Sequence, residues 1–279
     1  MRLPPTIRRQ LTDIGKAADD DIDLAASALV LASAERPGVT LAAYHRHLEK
    51  LSAEVQAYVG QTKASPALDL RIEALGQVLV RRYGYGGTDE VFDDLDAANL
   101  MRVIDSRSGL PVALGILYMQ TARRLGWAVS GLNFPGRFLV RLEGDGERQI
   151  IDPFGGGAVL EPWAMRDIFK QIEGNHVELR PENYRAMGNR EILLRLQNNI
   201  KSRQLRAGQL EDALETLQAM LLFAPDTTDL WREAGVLFVR LDRAREAIAA
   251  LEEYLRRCGG EDKRYNTSVL LQDLRARLN

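Results

Sequence analysis

The 279 residues are 46% apolar and 27% charged, a soluble globular composition that excludes disordered, collagen-like and coiled-coil classes. With 37 basic and 39 acidic side chains the net charge is −2, and residues 190–279 are as balanced as the whole, so no nucleic-acid partner is expected. A single cysteine, Cys258, and three histidines exclude an internal disulfide and leave no ligand set for a structural zinc, so neither metal nor cofactor is expected.

The N-terminus from Met1 to Arg9 lacks the apolar stretch of a signal peptide. The longest uncharged run, Ser108 to Ala122, falls short of the roughly 20 residues that span a bilayer. No membrane association is expected, and the cytoplasm is the expected compartment. In chain order, Leu24–Ala34, Leu41–Tyr58 and Leu68–Tyr83 show apolar residues three and four apart and predict helices, with Ser65-Pro66 as a start signal and Gly84 as a stop. A shorter helix is predicted over Asp96–Asp105. Ser106 to Pro111 reads as a turn, and Val112–Leu125 as a helix apolar nearly all round and therefore buried.

Three strands follow, over Trp127–Leu132, Phe138–Leu142 and Gln149–Ile151. The last two are joined by Glu143-Gly144-Asp145-Gly146-Glu147, whose glycines suit a hairpin turn. Asp152 to Gly157 closes the last strand, and Pro162–Ile172 returns to helix. Helices followed by a small antiparallel sheet make an α+β domain over residues 1–180.

The C-terminal part is all-α and repeats itself. Gly208 to Ala213 lies 34 residues before Asp242 to Ala247, bringing Ala213 into register with Ala247 and Trp231 with Tyr265. Trp231, Ala234, Gly235, Phe238 and Ala247 occupy tetratricopeptide positions, as do Ala213 and Pro225 one repeat earlier. Two repeats and a capping helix, Tyr265–Leu278, are expected over residues 189–279. So short an array is expected to lean on the first domain.

Candidates for chemistry are few. Cys258 ends a repeat helix far in sequence from any histidine, and no Gly-x-Ser-x-Gly elbow is present. His45 and His47 share one charged helix, His176 sits in a turn, and all three read as solvated or satisfied. Gly155-Gly156-Gly157 lacks the Gly-Lys-Ser/Thr that completes a phosphate loop. The acidic runs Asp19-Asp20-Asp21-x-Asp23 and Asp93-Asp94-x-Asp96 lack calcium-loop spacing and read as carboxylates at helix N-termini.

One constellation stands apart: Gly109-Leu110-Pro111, Ala122-Arg123-Arg124-Leu125-Gly126, Phe134-Pro135-Gly136-x-Phe138-Leu139-Val140-Arg141 and Ile151-Asp152-Pro153-Phe154. At these residues the chain resembles the SirB family, in which a degenerate transglutaminase-like fold precedes tetratricopeptide repeats. The resemblance runs from about Leu24 into the repeats. It implies triad positions that in the wider superfamily hold cysteine, histidine and aspartate. Here they fall at or near Pro111, at Arg137 where the family usually keeps the histidine of Pro-Gly-His-Phe, and at Asp152. Proline is no nucleophile, and a guanidinium stays protonated and cannot act as a general base. The resemblance therefore implies a transglutaminase-like pseudoenzyme joined to a peptide-binding array, with Arg137 and Asp152 either an ion pair in place of His–Asp or an anion-binding remnant in which Arg137 engages a carboxylate or phosphate. The alternative is a hydrolase or transferase with a cleft rearranged around Arg137 and Asp152. With Trp231 at the fourth position of its repeat, the groove-facing positions are Arg195, Asn198, Asn199 and Arg232, whose forked donors suit an acidic peptide or a C-terminal carboxylate.

Overall fold

The computed structural model describes residues 3–60, 65–92 and 94–278, and Asp93 of the second acidic run lies outside them. The chain divides into two compact units, a sheet unit of residues 19–196 and a repeat unit formed by residues 1–18 with 197–279. The sequence pattern predicts residues 1–18 within the first domain. The structure groups α1 (Pro5–Lys16), whose Ile7 and Leu11 are buried, with the repeats instead.

In the sheet unit, α2 (Leu24–Ala34) starts at Asp23, whose Oδ1 accepts from the Ala26 amide at 2.9 Å. α3 (Ala42–Val59) buries Tyr44, Leu48, Leu51 and Val55, one stripe at helical spacing. α4 (Leu68–Leu75) runs on into a wider π-helical turn over Gly76–Arg82, within the single helix predicted there, and Gly84 at φ 73° ends it. The helix predicted over Asp96–Asp105 is broken in two. A 3₁₀ turn, Leu95–Ala98, gives way at Asn99 to α5 (Leu100–Ser106). Asn99, 1% exposed, caps α5 by accepting from the Met101 and Arg102 amides and donates its own amide to the Ala32 carbonyl at 3.1 Å. A cap that is also a buried tether outweighs continuous helical pattern.

α6 (Pro111–Arg124) carries proline in its first turn and is buried from Pro111 through Ala122. It packs on one face of an antiparallel sheet, β1 (Ala128–Phe134), β2 (Arg137–Gly144), β3 (Glu147–Asp152) and β4 (Ala158–Val159), ordered as in the sequence. The helix approaches closely because the Phe138 ring fills the space where side chains would stand on Gly115 and Gly131; a Cβ on either would lie 2.3 or 2.4 Å from ring atoms. The β2–β3 turn uses Asp145 and Gly146, both at positive φ (56° and 81°), as a two-residue hairpin turn requires. Gly144, counted among the turn glycines from sequence, instead pairs with Glu147 and leaves room for the Arg71 guanidinium. On the other face Leu132, Phe134 and Leu139 pack against Met165 and Phe169 of α7 (Pro162–Glu173).

α8 (Asn189–Arg206) begins in the sheet unit and ends in the repeat unit, where α9 (Leu210–Phe223), α10 (Thr228–Arg240), α11 (Ala244–Arg257) and α12 (Glu261–Leu278) follow. Ala213 and Ala247, in register one repeat apart, are both fully buried, and Gly235 lies against Leu251. The Trp231 indole donates to the Pro225 carbonyl at 2.9 Å, so the proline that ends α9 also anchors α10. Tyr265 keeps the sequence register of Trp231 but is 71% exposed, and α12 starts four residues ahead of it. α1 packs against α9, with Gly15 so near Leu222 that a Cβ would stand 2.3 Å from its carbonyl oxygen.

Candidate functional site

Asp152 ends β3 and Arg137 begins β2. The register sets Val140 opposite Ile151, so Arg137 and Asp152 stand diagonally, and the long arginine side chain crosses the gap. Arg137 Nη1 donates to Asp152 Oδ2 at 2.6 Å. The aspartate is 5% exposed and the arginine 35%. The second carboxylate oxygen accepts from the Phe154 amide at 3.0 Å, and the Phe154 ring lies 5.9 Å from the guanidinium carbon. The Asp152 backbone carbonyl accepts from the Gly157 amide at 2.8 Å. Beside this pair sits Tyr118 of α6, whose hydroxyl is buried with no protein hydrogen-bond partner among the described residues. Burial, with the Asp152 charge as a lesser cause, pushes the Tyr118 phenol well above its usual range. Pro111 is buried in the first turn of the same helix, where it offers only a ring. This group holds a fixed cation, a doubly bonded carboxylate and a protonated phenol.

A second polar cluster involves a histidine that the sequence left as ordinary. His47 Nε2 lies 2.8 Å from the Tyr85 hydroxyl and 3.0 Å from Arg107 Nη1, which also donates to the Tyr85 oxygen. Both neighbours can donate, so Nε2 is the acceptor and the imidazole is neutral. Burial first, then the Arg107 charge, lowers the His47 pKa to about 4, and burial raises Tyr85 to about 12. Arg107 caps α5 in the left-handed conformation, φ 66°, with its guanidinium carbon 5.0 Å from the Tyr85 ring centre and 5.7 Å from that of Tyr83. The cluster ties the start of the Arg107-Ser108-Gly109-Leu110-Pro111 turn to α3. The sequence marks His47 as one of two histidines on a charged helix and the Arg107 segment as a turn, and carries no signal for the left-handed residue that brings the two together.

The remaining sequence candidates are structural or exposed. Asp19 accepts from the Asn189 and Arg190 amides at 2.7 and 2.8 Å and so caps α8, as Asp23 caps α2, in keeping with helix-terminal carboxylates. Cys258 is buried at the end of α11, next to the Tyr254 hydroxyl. Arg195 needs correction as a groove residue. It belongs to the sheet unit, where its guanidinium donates to Asn133 Oδ1 at 3.0 Å, to the Phe134 carbonyl at 2.9 Å and to the Arg137 carbonyl. Those bonds hold its donors within the fold, and burial lowers its pKa. Asn199 is half-buried and accepts from Arg203 through both its carbonyl and its side-chain oxygen. Asn198 and Arg232 are exposed on α8 and α10 of the repeat unit.

Residues 42–198 match the family model described as Transglutaminase-like superfamily, more than half of the chain. The chain belongs to the transglutaminase-like superfamily. Its last helices, residues 200–278, match a tetratricopeptide repeat model, so a transglutaminase-like domain is followed by repeats. Similar proteins include a UPF0162 protein of Xylella fastidiosa, 26% identical over 245 residues that cover 85% of this chain and 84% of the relative. Protein SirB1 of Salmonella typhimurium is 27% identical over 216 residues, covering 76% and 77%. A UPF0162 protein of Pseudomonas aeruginosa is 31% identical over 206 residues, covering 71% of each chain. A crystal structure of menin superposes on 90% of this transglutaminase-like chain and 68% of its own, at 12% identity and a TM-score of 0.43.

Proposed function

We propose that this transglutaminase-like protein is a non-catalytic cytoplasmic adaptor whose repeats bind an acidic segment of a partner protein. The observation that carries the reading is Arg137. It stands where the family histidine would, and its ion pair with Asp152 takes up the carboxylate that would otherwise orient a base. Among the described residues no helix is long and apolar enough to cross a membrane, which accords with an adaptor in solution. Arg232 and Asn198, both exposed on helices of the repeat unit, are the residues we assign to partner contact, with Asn199, half-buried, next to Asn198 in sequence.

Two experiments test the reading. Incubation with a primary-amine donor and a glutamine peptide should give background turnover only; turnover lost in Cys258→Ala would overturn the non-catalytic half. Calorimetric titration of acidic peptides, at two salt concentrations, should show Arg232→Ala weakening binding by about 1 kcal/mol. Equal affinity for both proteins removes Arg232 from the partner surface.

A further inference from the structure

The second face of the sheet is covered by α7 only in part. Beside the covered region lies an open groove of about 380 Å³, with Ile150, Leu160 and Met165 among its lining residues. Arg141, Arg148 and Arg166 also line it, against one carboxylate, Glu161. Arg141 is engaged with Glu143 at 2.7 Å. Arg148 and Arg166 are exposed and have no carboxylate at ion-pair distance among the described residues. The groove thus offers two unneutralised guanidinium groups beside apolar surface, and Val159 at its margin is 42% exposed.

The sheet edge beside it is open. β4 is two residues long and pairs only with Ile151 and Asp152. The Leu160 amide extends that pairing by one bond, to the Ile150 carbonyl at 2.7 Å. Beyond it, Glu147 to Gln149 has no strand on its outer side among the described residues. In an antiparallel strand the N–H and C=O of one residue point to the same side and alternate along the chain. The Ile150 carbonyl points outward, so the Arg148 amide and carbonyl do as well. An arginine on an edge strand can simply discourage aggregation. That role does not account for Arg166, which lies on α7 and lines the same groove.

We propose that this groove docks an extended acidic peptide of a partner protein. The peptide adds as a strand to β3 at Arg148, places one apolar side chain over Ile150 and Met165, and sets flanking carboxylates on Arg148 and Arg166. Open main-chain groups select an extended chain, the arginines select carboxylates in a bidentate geometry, and the cavity size suits one large side chain. Side chains two residues apart on a strand share a face, so the motif is acidic, any, apolar, any, acidic. The site lies within the sheet unit and does not depend on the repeat helices.

The test uses the full chain and a fluorescein-labelled heptapeptide reading threonine, glutamate, threonine, leucine, threonine, glutamate, threonine. Fluorescence anisotropy should show saturable binding that weakens at least tenfold in the Arg148→Gln, Arg166→Gln double variant. It should be absent with lysine in place of glutamate and be lost when alternate peptide amides are N-methylated. Hydrogen exchange at the Arg148 amide should slow on binding. Both substituted residues are exposed, and an unchanged melting temperature confirms folding; Arg166→Gln alone, off the edge strand, serves as the second variant. Equal affinity for wild type and double variant overturns the proposal. So does equal binding of the N-methylated peptide, or saturation by octanoate with no binding of the peptide. The part of the binding that N-methylation abolishes should persist in Arg232→Ala, and its loss in that variant alone would move the site to the repeats and overturn this one.

Discussion

Arg137 and Arg107 are both half-buried arginines of the sheet unit, and their surroundings accommodate the charge in opposite ways. Arg137 meets a carboxylate that is almost wholly shielded from water. Arg107 has no carboxylate at ion-pair distance among the described residues and is held by two tyrosine rings and a neutral histidine. The first arrangement depends on both partners being present. The second depends on His47 staying unprotonated, since an imidazolium would confront a guanidinium at 3.0 Å. One cluster is therefore broken by deletion and the other by acid.

The largest effect is expected from Arg137→Ala, which leaves the Asp152 carboxylate buried with only the Phe154 amide to bond. A fully buried pair broken from one side costs about 3–5 kcal/mol; with Arg137 35% exposed, about 2 kcal/mol is expected from urea unfolding. A loss below half that value would place the pair among ordinary surface contacts.

The acid half of the contrast comes next. The folded His47 pKa of about 4 lies below its ordinary 6.5, so the unfolded chain binds the proton more readily. His47 therefore contributes stability that is complete above pH 6.5 and is lost as pH falls toward 4. Because the imidazole is only half-buried, the loss should be about 1–2 kcal/mol. Comparing wild type with His47→Gln between those pH values isolates it, and parallel pH profiles would show that His47 does not titrate as the geometry requires.

Arg107→Lys keeps the charge but loses the flat face that lies over Tyr83 and Tyr85, and should cost about 1 kcal/mol. A double-mutant cycle with Tyr85→Phe reads the coupling directly, and an additive result would mean that the stacking contributes nothing. The smallest effect is expected at Arg243, whose Nη2 donates to both Glu211 carboxylate oxygens at 2.9 and 3.0 Å but which is 42% exposed. Arg243→Ala should change the unfolding free energy by under about 0.5 kcal/mol, showing that shielding, rather than contact geometry, separates this pair from Arg137–Asp152.

The sequence made α2, the buried α6 and the β2–β3 hairpin legible because each has a strong local signal: a capping aspartate, an unbroken apolar run, a positive-φ turn. The Arg137–Asp152 contact was legible as well, since a short hairpin leaves little freedom in register. What escaped was decided by partners distant in sequence. Asn99 divides a helical pattern because its amide is needed at Ala32. Arg195 occupies a groove position by repeat arithmetic, yet three acceptors on or beside the β1–β2 turn take its donors. The edge beside Arg148 depends on β4 being only two residues long, and no strand was predicted there.

The grouping of α1 with the repeats has a consequence for how the chain is made. Its packing partner α9 ends at Phe223, so the whole sheet unit is synthesised between the two halves of that contact. At about 5–20 residues per second, α1 leaves the ribosome roughly 10–40 seconds before α9 exists to receive it. During that interval Ile7 and Leu11 have no native cover from α9, while residues 19–196 emerge as a nearly complete unit of their own. The sheet unit is thus positioned to finish folding first, and α1 docks on α9 last.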